Sequence, residues 1–137
     1  MKVFKEVVME VHMGSLVKCS IIIYDDFGNV LLAERGKKNE RTWGLFGKDI
    51  KGKETDEKCI SKAIDKDLKC TIFDLKSFKD YEIENGDILR VFTGTVKEYL
   101  TCHRSINQIK WVSKKNIDDY NINDIDNNIL KNYFFNI

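Results

Sequence analysis

The stretch WGLFGKDIKGKETDEKCISKAIDKDLKC, from Trp43 to Cys70, decides the fold of this chain. A glycine-containing loop leads to Thr55, a good helix N-cap, which two acidic residues follow in the first turn, where the helix dipole favours them. Apolar residues then recur at helical spacing, at Cys59, Ile60, Ala63, Ile64 and Leu68. The pattern predicts a helix from Asp56 to about Lys69. A loop that leads into a carboxylate-bearing helix is the layout of a metal or phosphate site.

Asp67 lies near the middle of the apolar face of this predicted helix, because an α-helix turns by about 100° per residue. An unpaired carboxylate on a buried face costs several kcal/mol or becomes protonated. We therefore expect Asp67 to meet a metal ion, a basic side chain, or water at the frayed end of the helix.

The chain has 137 residues and a mass of 16.0 kDa, which fits one domain spanning residues 1–137. A domain of this size buries roughly two thirds of its unfolded surface. Hydrophobic residues make up 42% and charged residues 33%, so the composition is typical of a folded, soluble protein. No apolar run reaches the roughly 18 residues that cross a bilayer.

Charge and cysteine content narrow the possible partners and the compartment. The net charge of +1 creates no overall field to attract nucleic acid or an anionic membrane. Residues 34–69 nevertheless hold eleven Lys or Arg against eight Asp or Glu, which is compatible with a cleft for a small anion or with solvated charged faces. Four cysteines without a Cys-x-x-Cys pair, and no apolar leader in residues 1–13, predict a reducing compartment, by default the cytoplasm.

The rest of the chain predicts strands and a second helix. KVFKEVVMEVHM reads as a first strand, and VKCSIIIYD, the turn DDFGN and VLLAER together predict a β-hairpin over residues 17–35. Residues 36–42 and the polar stretch to Lys53 read as loops. CTIFDLKSF, YEI, DILRVFTGTV and IKWVS predict further strands, and IDNNILKNYFF predicts a closing helix. The order is that of an α+β fold, a mixed sheet with helices packed on it.

Trp43-Gly44-Leu45-Phe46-Gly47 and the spacing to Glu54 resemble the Nudix family. The family pattern is G-x5-E-x7-R-E-U-x-E-E-x-G-U, usually after Trp-x-Leu-Pro-Gly, and Phe46 takes the proline position. When Glu54 is aligned with the first acid, the residues that agree in kind or in charge are Glu54, Lys62, Ile64 and Asp67. Five positions of the pattern are replaced, by Lys48, Ala63, Lys66, Lys69 and Cys70. The resemblance covers most of the chain and implies an α/β/α sandwich.

The resemblance also implies a chemistry that this helix supports poorly. In the family, glutamates of the pattern hold a divalent metal, usually Mg²⁺, against a diphosphate, and a metal-activated water attacks phosphorus. Ala63 offers no oxygen. An ammonium group about 4 Å from a divalent ion is opposed by roughly 8 kcal/mol at an effective dielectric constant of about 20, so Lys66 weakens a metal site unless it swings away.

Three functions stay open at this point. The chain could be a phosphoanhydride hydrolase in which Glu54 and Asp67 are catalytic and bind Mg²⁺ or Mn²⁺, helped by another acid among Glu82, Glu84, Asp87 and Glu98. It could bind a nucleotide or a nucleoside-diphosphate-type ligand without metal, with Lys48 and Lys66 supplying the positive charge. It could also be a structural or protein-interaction module on the same scaffold.

Three other residues are candidates for the ligand site. Arg35 ends a strand, where its guanidinium could bind a phosphate or face solvent. Lys62 is expected to anchor the helix loop through Glu54. Phe46, like Trp43, could stack on a base or cover the edge of the core.

Overall fold

The computed structural model describes residues 15–97 and 99–136. The strand predicted at residues 2–13 and the candidate metal ligand Glu98 lie outside the described residues. The strands are β1 (Leu16–Ile23), β2 (Asn29–Arg35), β3 (Thr42–Gly44), β4 (Phe46–Asp49), β5 (Phe73–Glu82), β6 (Ile88–Thr95) and β7 (Gln108–Ser113). The helices are α1 (Asp56–Leu68) and α2 (Asp124–Phe135), with short 3₁₀ segments at Glu84–Gly86 and Lys114–Asp119. None of the described helices has the length and apolarity that a membrane span requires.

The strands form two sheets. One has the order β4-β1-β6-β5, in which β1 and β6 run parallel and the other pairs run antiparallel. The other is antiparallel with the order β3-β2-β7. The predicted α+β class, with a mixed sheet and packed helices, is confirmed.

The hairpin predicted for residues 17–35 is wrong beyond its turn. Asp25 closes the turn by accepting hydrogen bonds from the backbone N–H groups of Phe27 and Asn29, each at 2.9 Å, and Tyr24 bridges to Val30. Beyond this bridge, β1 lies between β4 and β6, and β2 lies between β3 and β7. The strands separate because each is apolar on both faces and contributes side chains to two different hydrophobic clusters.

The segment after Trp43 also differs from its prediction. Residues 46–49, expected in a loop, form β4, which is too short for its alternation to be recognised. The two strands predicted for CTIFDLKSF and YEI are one strand, β5, which begins at Phe73 and ends at Glu82 and whose pairing with β6 shifts register at two places.

Helix α1 is fixed at both ends and along one face. The Thr55 hydroxyl accepts a hydrogen bond from the Lys58 N–H at 3.2 Å, as expected for an N-cap, and Lys69 ends the helix in the left-handed conformation, at φ 54°. Arg90 of β6 ties the first turn to the sheet through Asp56 at 2.9 Å. The apolar face of α1 packs into one of the two hydrophobic clusters through Cys59, Ile60, Ile64 and Leu68, and this cluster is called the first hydrophobic cluster below.

Replacing Gly47 by alanine is expected to destabilise the fold by about 1–3 kcal/mol, because β4 approaches β1 too closely for a side chain. A Cβ at Gly47 would lie 2.2 Å from the Cys19 carbonyl oxygen, a backbone atom held in the sheet. Urea unfolding measures the loss. Gly44→Ala is the comparison, and a smaller loss is expected there, because its Cβ would meet side-chain atoms of Asn123 and Asp126 at 2.7 Å and displace their hydrogen bonds but no backbone atom. An equal loss in both variants would contradict the backbone clash.

Candidate functional site

A cavity of about 290 Å³ lies where the two sheets, the end of α1 and the start of α2 meet. It is lined by Lys18, Ser20, Ala33, Arg35, Thr42, Trp43, Gly44, Leu45, Gly47, Lys66, Asp67, Ser105, Asn123 and Asp126. The predicted helix therefore brings its last turn to the cavity, together with the strand end that carries Arg35.

Asp67 is paired inside this cavity. One carboxylate oxygen accepts a hydrogen bond from the Arg35 guanidinium at 2.9 Å, and the Asp67 side chain is only 8% exposed. The same guanidinium donates to the Ser105 hydroxyl at 3.1 Å. The carboxylate that the sequence places on the buried face thus meets a basic side chain, the second of the three expected partners.

The loop that carries Ser105 is fastened to the last turn of α1. The His103 backbone N–H donates to the Asp67 carbonyl oxygen at 2.8 Å, and the Thr101 N–H donates to the Leu68 carbonyl oxygen at 3.0 Å. The His103 ring contacts the Ser105 hydroxyl through Nδ1 at 2.9 Å. These contacts fix Ser105 beside Arg35.

Glu54 is enclosed by positive charge. Its carboxylate accepts hydrogen bonds from the ammonium group of Lys48, from the Lys51 backbone N–H at 3.0 Å and from the ammonium group of Lys62 at 3.1 Å. The Lys48 ammonium, with help from the Lys51 N–H and from Lys62, holds the pKa of Glu54 at about 2, below its ordinary value of 4.5. The contact expected between Lys62 and Glu54 is present.

Replacing Glu54 by glutamine should make the free energy of unfolding depend less strongly on pH in acid. A carboxyl group whose pKa is lower in the folded state stabilises above its unfolded pKa and loses that contribution as pH falls through the folded value. Glu54 therefore loses its stabilising contribution as the pH falls from about 4.5 to about 2. Wild type should exceed Glu54→Gln in unfolding free energy at pH 7, and the gap should shrink at pH 4 and pH 3.

Urea unfolding at the three pH values checks this expectation. Glu57→Gln is the matched control, because Glu57 is an exposed carboxylate in the first turn of the same helix. Equal pH slopes for wild type and Glu54→Gln would show that the Lys48 contact does not stabilise the fold.

The candidate ligand-binding residues separate into two groups. Arg35 and Lys66 line the cavity. Lys48 and Lys62 instead bond to Glu54 and are not among the cavity-lining residues. Phe46 has no exposed surface and packs in the first hydrophobic cluster, which supports the second of its two expected roles, packing in the core, over stacking on a base.

Trp43 keeps a small exposed surface in the cavity. It is 8% exposed, lines the cavity and meets Tyr120 edge to face at 5.1 Å between ring centroids. The aromatic residue that borders the cavity is therefore Trp43 and not Phe46.

Lys18 adds a cation that the sequence interpretation missed. It lies in β1, two residues before Ser20, so both side chains point to the cavity side of the sheet. Within the described parts of the chain, neither Lys18 nor Lys66 has a salt-bridge partner. Two ammonium groups without carboxylate partners therefore line the cavity.

The start of α2 supplies a polar pair that was also missed. The Asn123 side-chain oxygen caps the helix by accepting from the Asp126 N–H at 2.9 Å, and its amide nitrogen donates to the Asp126 carboxylate at 2.9 Å. The same carboxylate oxygen accepts from the Leu45 N–H at 2.8 Å. The sequence N-D-I-D is itself a capping signal, but nothing local indicates the contact with Leu45, 81 residues away.

The described donor set does not fit a divalent metal. Among residues 15–97 and 99–136, no group of three or more His, Cys, Asp or Glu side chains is placed to hold a metal ion. Glu54 is held by two ammonium groups and Asp67 by a guanidinium. A hard cation needs several oxygen ligands, and of the two described candidate ligands each is already paired with a cation of the protein.

The backbone resembles several solved structures. A MutT Nudix hydrolase from Burkholderia pseudomallei aligns with a TM-score of 0.66 at 16% identity, over 85% of this chain and 96% of that one. The MutT protein from Methanosarcina mazei Go1 aligns with a TM-score of 0.67 at 17% identity, over 91% and 96%. This chain has the Nudix fold.

A third Nudix-fold neighbour is a longer protein. It is a bifunctional NMN adenylyltransferase and ADP-ribose pyrophosphatase from Francisella tularensis, with a TM-score of 0.64 at 15% identity, over 88% of this chain and 40% of that one. No protein-family model and no curated protein matches the sequence.

The Nudix fold identifies α1 as the helix in which the family pattern places its acids. Two of those acidic positions hold other residues here, as aligned from the sequence. Ala63 is 2% exposed and packs inward, and Lys66 lines the cavity. In the described residues, the last turn of α1 therefore brings Lys66 and the arginine-paired Asp67 to the cavity.

Proposed function

We propose that this Nudix-fold chain binds a nucleotide or a related phosphate-bearing ligand without a divalent metal, and that it does not perform the metal-dependent hydrolysis of the family. One observation carries the proposal. Two of the three candidate metal ligands, Glu54 and Asp67, are already paired with cations of the protein, whereas Lys18 and Lys66 line the cavity and have no salt-bridge partner among the described residues. The cavity suits an anion and not a cation.

The charges that line the cavity support an anionic ligand. Its basic side chains are Lys18, Arg35 and Lys66, and its acidic ones are Asp67 and Asp126. Asp67 and Arg35 neutralise each other, and Asp126 offsets one of the two lysines in the sum, so the described lining keeps a net formal charge of +1. Ammonium groups bind phosphate as point charges, and their attraction grows as a ligand displaces water.

The lining residues Asn123, Asp126 and Trp43 suit a polar ring. Asp126 uses one carboxylate oxygen to accept from Leu45 and Asn123, which leaves its second oxygen as an acceptor. The edge of a nucleobase carries matching donors, and Trp43 provides an apolar contact beside it. The Francisella tularensis neighbour is an ADP-ribose pyrophosphatase, which is in keeping with a nucleotide-type ligand.

Calorimetric titration tests the proposal. ADP-ribose and a panel of nucleotides are titrated in EDTA and again in Mg²⁺ or Mn²⁺, and a phosphate-release assay follows. We expect binding in EDTA, a change of less than about twofold on adding metal, and no metal-dependent release. Metal-dependent turnover would favour the hydrolase, whose metal would then need Glu98 or another acid. The absence of both binding and release would favour an interaction module.

We further propose that residues 1–137 act as one domain in the cytoplasm. Among the described residues, Cys19, Cys59 and Cys102 form no disulfide, which supports a reducing compartment.

A further inference from the structure

We infer that the ligand carries a single terminal phosphate, so that the cavity takes a nucleoside monophosphate in preference to a nucleoside diphosphate, a triphosphate or a diphosphate-linked derivative. This inference rests on the proposed function and narrows its ligand class. It follows from two observations, the basic side chains of the lining that have no salt-bridge partner among the described residues and the volume of the cavity.

Two positive charges are available to a ligand. Of the three basic side chains that line the cavity, Arg35 is committed to Asp67 at 2.9 Å and to the Ser105 hydroxyl at 3.1 Å. Lys18 and Lys66 have no salt-bridge partner within residues 15–97 and 99–136. A phosphate monoester carries about −1.5 to −2 charges at pH 7, which two ammonium groups balance when the phosphate lies at the lysines. The remaining acid of the lining, Asp126, lies at the start of α2, where its carboxylate accepts from Leu45 and Asn123.

A second phosphate would lack a counter-charge. Among the described lining residues, the basic ones are Lys18, Arg35 and Lys66, and the other two lysines proposed for the ligand, Lys48 and Lys62, are bonded to the Glu54 carboxylate. A metal ion would ordinarily supply the missing charge, but the described side chains offer no group of three acidic or metal-binding residues to hold one. An unbalanced phosphate charge in a partly desolvated site weakens binding.

The size of the cavity agrees with the charge argument. Small-molecule sites span about 300–1,000 Å³, and this cavity, at about 290 Å³, lies at the lower limit. The lining places the polar pair Asn123 and Asp126, the indole of Trp43 and the two lysines around one space. A base, a ribose and one phosphate use all of these groups, whereas a second phosphate or a second sugar would extend beyond the lining.

The test is a titration series in EDTA at low ionic strength. The nucleosides adenosine, guanosine, cytidine and uridine are compared with their mono-, di- and triphosphates and with ADP-ribose. For the preferred base, we expect the monophosphate to bind at least tenfold more tightly than the nucleoside, the triphosphate and ADP-ribose. The diphosphate should bind more weakly than the monophosphate.

Lysine variants locate the phosphate. Lys66→Met and Lys18→Met should each lower monophosphate affinity about tenfold and change nucleoside affinity less than twofold. Lys58→Met is the matched control, because Lys58 is exposed on α1, away from the cavity lining, and should change neither affinity. Lys18 is half-buried, so urea unfolding of Lys18→Met checks that the fold is retained, and the exposed Lys66 provides an independent test.

The outcomes separate the inference from the proposed function. Metal-free binding in which diphosphates, triphosphates or ADP-ribose match or exceed the monophosphate overturns the inference and leaves the proposed function standing. Equal affinity for nucleoside and monophosphate, or no effect of Lys66→Met and Lys18→Met, also overturns the inference alone. Binding that requires Mg²⁺, or no binding of any compound, overturns both.

Discussion

Replacing Arg35 by methionine is expected to lower the free energy of unfolding by about 2–3 kcal/mol. The guanidinium is the partner of the Asp67 carboxylate at 2.9 Å, and the Asp67 side chain is only 8% exposed. Removing one member of a buried ion pair costs about 3–5 kcal/mol, because the other charge stays buried without compensation. Arg35 is 36% exposed, and water screening at that side reduces the expected loss.

A double-mutant cycle isolates this pair. Urea unfolding at pH 7 is measured for wild type, Arg35→Met, Asp67→Asn and the double variant. The double variant should be more stable than Arg35→Met alone, because asparagine removes the unpaired charge that methionine leaves behind. If the two single losses simply add, Arg35 and Asp67 do not stabilise each other, and the metal-free interpretation of the site loses its main support.

The local parts of the fold could be predicted from the sequence because their causes are local. Thr55 caps α1, the apolar spacing sets the buried face, and Asp67 on that face requires a partner, whatever the rest of the chain does. The hairpin prediction failed because the turn at Asp25 is a local signal and sheet pairing is not. Two apolar strands joined by a tight turn can pair with each other or with strands from distant segments, and the period of two is the same in both cases.

The site could be predicted only in part for the same reason. Arg35 and Asp67 are 32 residues apart, Arg35 and Ser105 are 70 apart, and Leu45 and Asp126 are 81 apart. The family pattern points to Asp67 and Lys66, because it covers α1. No pattern in the sequence connects Lys18 or Asn123 with that helix. Phe46 was misplaced because an apolar residue in a loop pattern gives no sign of which side of the backbone is buried.

The double replacement Ala63→Glu with Lys66→Glu should create affinity for divalent metal. It removes the ammonium group from the last turn of α1 and adds two carboxylates to a helix that already carries Asp67, on the face where the family pattern has its acids. We expect Mn²⁺ binding to rise from undetectable to a Kd of about 10⁻⁴–10⁻³ M, the range of weak carboxylate sites. Saturating Mn²⁺ should then stabilise the variant by about 1–3 kcal/mol, because it binds only the folded state.

Calorimetry and urea unfolding with and without Mn²⁺ provide the measurement, and Lys66→Glu alone is the control. The single variant removes the repulsion but adds only one carboxylate, so it should bind Mn²⁺ more weakly than the double variant. Ala63 is 2% exposed, and a glutamate there must extend along the helix surface to reach solvent, so the shorter Ala63→Asp serves if the double variant is unfolded without metal. No gain over the parent protein in any folded variant would mean that the carboxylates of α1 do not converge. The alignment of this helix with the Nudix pattern would then be wrong, although the fold itself would stand.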